Sequence, residues 1–465
     1  MKSSGGYDAV FRFLFLILFP VILMGCGKVR LPSVFSDNMV LQQKSEVPIW
    51  GWARPGRKVT VLPGWSQEKY EAVADGQARW EVKVSTPQAG GPYEIIIRSA
   101  GEMTIKNVMI GEVWLCAGQS NMEMSAKWGI PNGPEEVKNA NYPNIRFFKI
   151  RHRTAETPQT NLEGKWTTCT PETMNEFSAA AYFFAKKLQA EAGVPIGLIQ
   201  ATWGSTPAEI WMPAHLIRQD SLLAAATKLL PEKPWGAEGI GKLYNSMIAP
   251  ITRFKIAGTI WYQGESNVEN AGTYKVLFPK LIRTWRELWG DDFPFFFAQI
   301  APFPYPIPRS GAIIRDAQRQ ALALPNTAMI VTSDIGDTTD IHPKNKLDVG
   351  LRFAGLALKY VYRQTDEEVE GPLFKDYRIE QDRIRIYFDH ADGLYAKDGP
   401  PTNFEIAGDD EVFHPAQAVI EGNTVVVNSA KVGRPLKVRF AWGNTAMPNL
   451  FNAANLPASC FYTEN

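Results

Sequence analysis

Five short apolar runs, separated by stretches with helical periodicity, most constrain the fold of this 465-residue chain. The runs are Val113–Ala117, Ile196–Gln200, Ile256–Tyr262, Pro294–Ile300 and Ala328–Ser333. Such runs are typical of strands buried on both faces, because they lack the polar alternation of a half-exposed strand. Buried strands that alternate with helices predict a parallel, doubly wound sheet, and ligands bind such sheets beyond the carboxyl ends of the strands.

Two of the stretches between these runs carry clear helix signals. Residues 178–192 end on Gly193, and glycine commonly closes a helix in the left-handed conformation. Residues 274–289 place their apolar side chains on one stripe before Gly290. Pro279 interrupts that stripe, so the second helix is expected either to begin or to kink there. Both helices belong to the predicted catalytic domain, residues 107–365.

The segments on either side of this domain are predicted to be β-modules. In residues 27–106, short alternating runs such as "ARWEVKV" are separated by turn signals such as Asp75-Gly76. Residues 366–465 return to the same period of two, as in "RIRIYFDH" and "LKVRFAW". The predicted fold is therefore α/β, with an N-terminal and a C-terminal β-module added to the parallel-sheet domain.

Residues 1–26 are predicted to be an export signal. Lys2 and Arg12 precede an apolar run at 13–24 that is too short to span a bilayer comfortably. The "LMGC" at its end resembles the lipobox of bacterial lipoproteins, although Met24 departs from the small or β-branched residue usual at that place. We expect an exported protein, periplasmic or anchored in the outer membrane, that touches a membrane only through a lipid on Cys26.

The composition argues against several classes of partner. Lys and Arg number 49 and Asp and Glu number 48, so the formal net charge is +1. This balance offers neither the basic footprint of a nucleic-acid-binding protein nor a polybasic membrane patch. Cys116, Cys169 and Cys460 show no Cys-x-x-Cys spacing and are expected to be small buried hydrophobes, with one disulfide among them left open.

The first candidate functional segment is "GEVWLCAGQSNMEM", in which Ser120 directly follows the first apolar run. A serine hydroxyl becomes a nucleophile when a base takes its proton, and its N–H can bind an oxyanion if the residue opens a helix. For an isolated serine, a helix cap is the commoner explanation. The segment lacks the second glycine of a Gly-x-Ser-x-Gly turn, which disfavours an α/β-hydrolase elbow.

Two further loops follow the second and third apolar runs. "GTIWYQGESN" places Gln263 and Gly264 at a strand end, where amide donors suit a developing oxyanion. Glu265 is open to three interpretations: a general base, a metal ligand, or a carboxylate that orients N–H groups of its own loop. Gly204, in "QATWGSTPAEIW", has no side chain and can approach a ligand closely.

The last segment, "SDIGDTTDIHPKNK", supplies a candidate base. Of the 5 histidines, His342 alone follows an apolar run with several acids just before it. A catalytic histidine needs a carboxylate partner, and Asp340 faces the same side if this segment is extended. Alternatively, Asp334, Asp337 and Asp340 form a polar turn or a cation-binding loop. Their spacing lacks the alternating ligands and closing glutamate of a calcium loop, so no metal or other cofactor is expected.

The order of Ser120, donor loops and an Asp–His pair resembles that of the SGNH (GDSL-type) hydrolases. The quoted segments, with "VFSDNMVLQQKSEVPIWGWARPGRKVTV" and the terminal "NLFNAANLPASCFYTEN", resemble the bacterial sialate O-acetylesterase family over essentially the whole mature chain. The resemblance implies a flavodoxin-like α/β/α catalytic domain. It also implies a metal-free esterase that removes acetyl groups from sugar hydroxyls.

The resemblance also implies roles for particular residues. Ser120 is the expected nucleophile and His342 the expected base. The expected oxyanion donors are the N–H groups of Ser120 and Gly204, together with Gln263 or the neighbouring Gly264. Asn121 and Glu265 are candidate supporting residues. The acid of the wider superfamily usually lies three residues before the histidine, where this chain has Thr339. Asp340 is therefore the nearest substitute.

The substrate is left open between two kinds of sugar. The resemblance favours O-acetylated sialic acid, but similar chains act on acetylated xylan or other plant glycans. Trp203, Trp211 and Trp261 flank the site motifs as candidate ring platforms, although at least two of them are expected to pack against the sheet. A rival of another class is a non-catalytic glycan-binding lipoprotein, but a binding module needs none of the three catalytic candidates.

Overall fold

The computed structural model describes residues 28–232 and 237–463, so the predicted export signal and Cys26 lie outside the described residues. The chain first forms the predicted N-terminal β-module. Its strands are β1 Val40–Gln42, β2 Glu46–Trp52, β3 Lys58–Pro63, β4 Tyr70–Val73, β5 Arg79–Ser85 and β6 Gly90–Arg98. β2 pairs with β5, and β3 pairs with both β4 and β6, each antiparallel.

A parallel sheet at the centre of the chain confirms the predicted α/β class. Its strands are β7 Glu102–Gly118, β8 Tyr142–Lys149, β9 Trp166–Cys169, β10 Ile196–Thr202, β11 Gly258–Tyr262, β12 Phe295–Ala298 and β13 Thr327–Ile330. They lie in the order β13-β12-β11-β7-β10-β8-β9, and only the β8–β9 pair of this series is antiparallel. The five predicted runs correspond to β7, β10, β11, β12 and β13.

β7 belongs to two parts of the fold at once. Its first half pairs antiparallel with β6 and parallel with β1 of the N-terminal module. Its second half lies between β10 and β11 in the central sheet. The domain boundary predicted between residues 106 and 107 therefore falls inside a single strand.

The sequence analysis missed β8 because its residues do not form an apolar run. The strand contains Pro143 and the charged Arg146, yet Arg146 is buried. Its guanidinium donates hydrogen bonds to the Pro143 carbonyl at 2.7 Å and to the side-chain oxygens of Asn38 and Asn107 at 3.4 and 3.3 Å. A buried cation is tolerated when such partners replace water, and two of these three are distant in sequence.

The helices cover the faces of the sheet. They are α1 Ser120–Glu123, α2 Gly133–Asn139, α3 Pro171–Glu176, α4 Ala179–Ala192, α5 Ala214–Arg218, α6 Ser221–Ala226, α7 Tyr274–Trp289, α8 Ser310–Gln320 and α9 Lys346–Leu356. Both predicted helices are confirmed. Ser178 caps α4, which ends on left-handed Gly193. Pro279 lies inside α7, so of the two alternatives left open the helix does not begin at this proline.

Alternate residues of the central strands pack into two separate cores. Trp114 and Cys116 lie in the core that also holds the buried side chains of α4 and α9. Val113 and Leu115 lie in the core that holds α7 and the N-terminal module. Both faces of the sheet are therefore covered, as the apolar runs predict.

The C-terminal module is also built from strands, as predicted. They are β14 Leu373–Glu380, β15 Arg383–Asp389, β16 Tyr395–Ala396, β17 Phe404–Ala407, β18 His414–Pro415, β19 Gln417–Glu421, β20 Thr424–Asn428, β21 Lys437–Phe440, β22 Leu450–Phe451 and β23 Phe461–Tyr462. Gln299 after β12 donates to the Ser459 hydroxyl at 2.8 Å, and Arg315 of α8 donates to the Gly443 carbonyl at 2.5 Å. These buried side chains fasten the module to the catalytic domain.

Cys116, Cys169 and Cys460 are buried free thiols, and burial raises the pKa of each. These residues therefore pack as small hydrophobes, as expected. Within the described ranges, no helix is both long and apolar enough to cross a bilayer.

Gly118, the last residue of β7, lies very close to the backbone of β11. Its φ is +137°, and a Cβ at this position would lie 2.2 Å from the Tyr262 carbonyl oxygen. We expect Gly118→Ala to lower the free energy of unfolding by about 2 kcal/mol or more, because both strain and a backbone clash oppose the new methyl group. Gly272→Ala is the matched control, since a Cβ there meets no atom within 4 Å. Denaturant titration of both variants tests this, and equal stabilities would contradict it.

Candidate active site

Ser120 is the first residue of α1, directly beyond the carboxyl end of β7. The chain reaches it through Gly118 and the extended Gln119, whose N–H donates to the Tyr262 carbonyl at 3.0 Å. Ser120 is 8% exposed, and its own N–H has no hydrogen-bond acceptor among the described residues. The sharp turn at Gly118 therefore leaves the hydroxyl and the N–H of one residue at the edge of the sheet.

The Gly204 loop follows β10 and lies beside Ser120. A Cβ on Gly204 would be 3.4 Å from the Ser120 Cβ. The Gly204 N–H donates to Glu123 Oε2 at 2.7 Å, and Glu123 Oε1 lies 2.9 Å from His152 Nε2. The predicted oxyanion donor is thus next to the nucleophile but is bonded to a carboxylate of the nucleophile's own helix. Its role in an oxyanion hole stays a prediction.

The loop after β11 carries the other predicted donors. Gln263 is fully buried, and its amide nitrogen donates to the Thr206 carbonyl at 3.2 Å and to Asn267 Oδ1 at 2.7 Å. The Gly264 N–H faces Gln119 Oε1 at 3.4 Å. Both amide hydrogens of Gln263 are therefore engaged within the protein, and the contribution of either residue to an oxyanion hole stays a prediction.

His342 lies in the loop between β13 and α9 and is about one-third exposed. Its ring stands edge-on to Trp128, with ring centroids 5.8 Å apart. Burial lowers the pKa of His342 from its ordinary value, and this effect outweighs the opposing influence of Asp340. A base with a lowered pKa stays unprotonated into weakly acidic solution.

Asp340 is the acid that lies beside His342. Its Oδ1 accepts the His342 backbone N–H at 2.8 Å and lies 3.8 Å from His342 Nδ1. The hydrogen bond from this N–H is the largest cause that lowers the pKa of Asp340. The distance to the ring exceeds a hydrogen bond, so the pairing is electrostatic in this arrangement. The assignment of Asp340 as the supporting acid stays a prediction.

The other two aspartates of this segment have partners of their own. Asp334 forms a bidentate ion pair with Arg352, at 2.8 and 2.6 Å. Asp337 accepts from the backbone and the hydroxyl of Thr339, at 2.8 and 2.6 Å. No group of three or more acidic, histidine or cysteine side chains is placed to hold a metal ion in residues 28–232 and 237–463.

Asn121 joins these loops. Its side-chain nitrogen donates to Glu265 Oε1 at 2.5 Å and to the Ile341 carbonyl at 3.0 Å. Its side-chain oxygen accepts from Lys346 Nζ at 2.7 Å. Because Asn121 adjoins Ser120 and Ile341 adjoins His342, this one amide brings the loops of the predicted nucleophile and base together.

The sequence analysis missed three residues of this site: Gln119, Glu123 and Lys346. Gln119 lies within the quoted serine segment, and its side-chain oxygen accepts from both Gly264 and Ser266. Glu123 lies three residues after Ser120, a spacing that places both on one side of a single helical turn. Lys346 carries no signal in the sequence, because a lysine at the start of a helix is normally exposed.

The tryptophans beside the site motifs have different environments. Trp211 and Trp261 are fully buried and contact each other edge to face, as expected for at least two of the three. Trp203 is half-buried and stacks on His152, with ring centroids 4.2 Å apart. Trp203 is therefore the tryptophan of these three that keeps a surface near Gly204.

A cavity of about 280 Å³ opens beside the site. Ser205 and Ser266, which follow two of the site loops, form part of its wall, and Glu209 forms another part. Glu209 is held by the side-chain amides of Asn267 and Asn270 at 2.9 and 2.7 Å, and burial raises its pKa. The cavity lies against the loops after β10 and β11, and neither Ser120 nor His342 is among the residues that line it.

The positions of the serine and histidine loops indicate a type of enzyme. A serine beyond a central parallel strand, with its loop bonded to the loop of a histidine, is the arrangement expected of a hydrolase that forms an acyl-enzyme. Residues 110–359 match the family model described as "Carbohydrate esterase, sialic acid-specific acetylesterase". The chain belongs to this carbohydrate esterase family and is a carboxylic ester hydrolase that acts on acetylated carbohydrate.

Known relatives resemble the chain over most of its length. It is 31% identical to the human sialate O-acetylesterase over 74% of this chain and 73% of the relative. It is 27% identical to the rat sialate O-acetylesterase, with 89% of each chain covered. A crystal structure of a carbohydrate acetylesterase from Xanthomonas citri is 36% identical, with a TM-score of 0.85, and the match covers 94% of this chain and 100% of that one.

Replacement of Asp340 tests the acid. We expect Asp340→Asn to lower kcat roughly 10- to 100-fold, because the charged imidazole loses its nearest carboxylate. Asp337→Asn is the matched control from the same loop, with kcat expected to stay near wild type because Asp337 bonds to Thr339. Initial rates on an acetyl ester measure both. A large loss for Asp337→Asn with none for Asp340→Asn would show that the acid is misassigned.

Proposed function

We propose that this enzyme removes acetyl groups from O-acetylated sialic acid through an acetyl-enzyme on Ser120. One observation carries the mechanism: Asn121 bonds to the Ile341 carbonyl and so joins the loops of Ser120 and His342 at the carboxyl edge of the sheet. The substrate class is supported by the sialate O-acetylesterases of human and rat, which resemble the chain over most of its length.

In the proposed reaction, Ser120 Oγ attacks the acetyl carbonyl carbon while His342 accepts the hydroxyl proton. The tetrahedral intermediate collapses, the ester C–O bond breaks, and the sugar oxygen leaves with the proton from His342. Water then attacks the acetyl-serine with the same base, which releases acetate and restores Ser120. Asp340 stabilises the positively charged imidazole in both halves of the reaction.

The developing oxyanion is stabilised first by the Ser120 N–H, which no protein acceptor occupies among the described residues. The Gly204 N–H, which donates to Glu123 Oε2 at 2.7 Å, becomes a second donor to the oxyanion when that hydrogen bond breaks. The Gln263 amide becomes a further donor when its hydrogen bond to the Thr206 carbonyl or to Asn267 Oδ1 breaks. Each donor in place contributes on the order of 3 kcal/mol to stabilisation of the transition state.

A second candidate substrate is a neutral acetylated plant glycan such as acetylxylan. The Xanthomonas citri enzyme, which is 36% identical to this chain, is a carbohydrate acetylesterase. Its identity to this chain exceeds the 27% and 31% of the rat and human enzymes. This comparison supports a broader class of sugar than sialic acid alone.

The proposal includes export. A charged segment, a short apolar run and the "LMGC" sequence support secretion with a lipid on Cys26. A periplasmic or outer-membrane location would bring the site to extracellular glycans. Cell fractionation of wild type and Cys26→Ala tests this: membrane association that does not depend on Cys26 would overturn the anchor.

Acetate release from a panel of O-acetylated sialosides, acetylated xylan and acetylated pectin tests the substrate. The sialosides are expected to give the highest kcat/KM. Higher values on xylan would overturn the sialate proposal while leaving the esterase intact. Binding of these glycans without any acetate release would favour the non-catalytic rival.

Ser120→Ala tests the nucleophile. We expect it to lower kcat by about 1000-fold or more and to leave thermal unfolding unchanged, because the hydroxyl that attacks is lost. Ser125→Ala is the matched control: Ser125 is buried close by, and its hydroxyl makes no hydrogen bond among the described residues. Near-native turnover by Ser120→Ala would end the proposal.

The pH profile tests the base. Burial lowers the pKa of His342 below its ordinary value of 6.5, and only the unprotonated ring accepts the serine proton. Activity should therefore fall as pH decreases through that lowered pKa, so the acid limb of kcat/KM is expected below pH 6.5. Initial rates on a chromogenic acetyl ester measure the limb, and a midpoint above 6.5 would contradict this assignment.

A further inference from the structure

Lys346 is a buried lysine that bonds to Asn121, the residue after the predicted nucleophile. It begins α9, four residues after His342, and its exposed fraction is 0%. Its ammonium donates to Asn121 Oδ1 at 2.7 Å and lies 5.3 Å from the centre of the Tyr262 ring. A lysine is rarely buried completely unless partners replace its water, so this position requires an explanation.

We propose that Lys346 is a positioning residue that, through Asn121 and Glu265, holds the serine loop against the histidine loop. The proposal rests on the proposed roles of Ser120 and His342. It adds a residue that the reaction needs but that does not touch the reacting atoms.

The first effect of Lys346 is on the orientation of the Asn121 amide. An amide can turn over, exchanging its oxygen and its nitrogen. Lys346 donates to the oxygen, so the nitrogen must face Glu265 and the Ile341 carbonyl. The reversed amide would set its oxygen against a carboxylate and a carbonyl, with its NH₂ group against the ammonium. Lys346 therefore acts together with Glu265 and the Ile341 carbonyl to hold the orientation that ties Ser120 to His342.

The second effect of Lys346 is electrostatic and acts on His342. The charged groups that influence His342 are Asp340, which favours its protonated form, and Lys346 and Lys344, which oppose it. Burial lowers the pKa of Lys346 to about 7, with Glu265 and Asp340 acting in the opposite direction and Lys344 adding to the decrease. Below pH 6.5 Lys346 is therefore mostly charged, and it is charged over the range in which His342 titrates.

Lys346→Met tests both effects, the one on the Asn121 amide and the one on His342. Loss of the cation should raise the pKa of His342, so the acid limb of kcat/KM should move up by roughly half a pH unit. Loss of the donor to the Asn121 oxygen leaves the amide less firmly held, and it should lower kcat about tenfold or more with little change in KM, because the serine and the base lose alignment. A purely structural lysine would lower thermal stability without moving the limb.

Lys186→Met is the matched control. Lys186 likewise donates to a side-chain oxygen, in its case the carboxylate Oε2 of Glu136 at 2.8 Å, and lies 5.8 Å from the centre of the Tyr182 ring. It lies on α4, and neither Glu136 nor Tyr182 is a residue of the candidate site. This variant is expected to lose some stability while its kcat and its acid limb stay as in wild type. If it moves the limb as far as Lys346→Met does, the effect is not local and the proposal is wrong.

The double variant Lys346→Met/Glu265→Gln keeps the test decisive if Lys346→Met does not fold. It removes both buried charges and keeps a carbonyl acceptor for the Asn121 nitrogen, so it should fold better than Lys346→Met. Its kcat is still expected to be at least about tenfold low, because the donor to the Asn121 oxygen is gone. Wild-type kcat with an unmoved acid limb, in either Lys346 variant, would overturn the proposal.

Ser120→Ala separates this proposal from the one on which it rests. Acetate release that persists in Ser120→Ala overturns the proposed mechanism itself. Loss of turnover in Ser120→Ala together with an unchanged Lys346→Met enzyme overturns only the role of Lys346. NMR titration of His342 in Ser120→Ala and in Ser120→Ala/Lys346→Met adds a readout that needs no turnover, with a higher pKa expected in the double variant.

Discussion

The architecture of the site depends on the contact between the ends of β7 and β11. Gly118 lies so close to the Tyr262 carbonyl that no side chain fits between the two strands, and Gln119 is bonded to both the end of β11 and the loop beyond it. The serine turn is therefore built against the neighbouring strand rather than projecting from its own. Every later loop of the site is arranged around this fixed point, because β10, β11 and the histidine loop all reach the same edge of the sheet.

The interior of the site is held by polar groups more than by apolar packing. Asn121, Gln263, Glu265 and Lys346 are almost fully buried, and each has a hydrogen bond or a charged neighbour inside the protein. Such groups tolerate few arrangements, since a buried donor or acceptor that loses its partner is costly. An enzyme that must keep a hydroxyl and an imidazole aligned benefits from this rigidity. The loops need no regular secondary structure to stay in place.

The sequence predicted what depends on local pattern, and missed what depends on distant partners. The apolar runs predicted the parallel strands, and Ser178 and Gly193 mark the ends of a helix that the structure confirms. β8 was missed because Arg146 is stabilised by asparagines far away in the chain. The placement of Lys346 depends in the same way on Asn121, more than two hundred residues earlier. Motif order located the loops, but it did not reveal that Gly204 and Gln263 already use their N–H groups within the protein.

β7 has a consequence for how this protein can be divided. One continuous strand carries the hydrogen bonds of the N-terminal module in its first half and supplies a central strand of the parallel sheet in its second half. The same stretch of backbone leads from the N-terminal module directly to the turn that carries the serine. Truncation of the module would remove strands that pair with β7 and side chains that belong to the same core as α7 and the central strands.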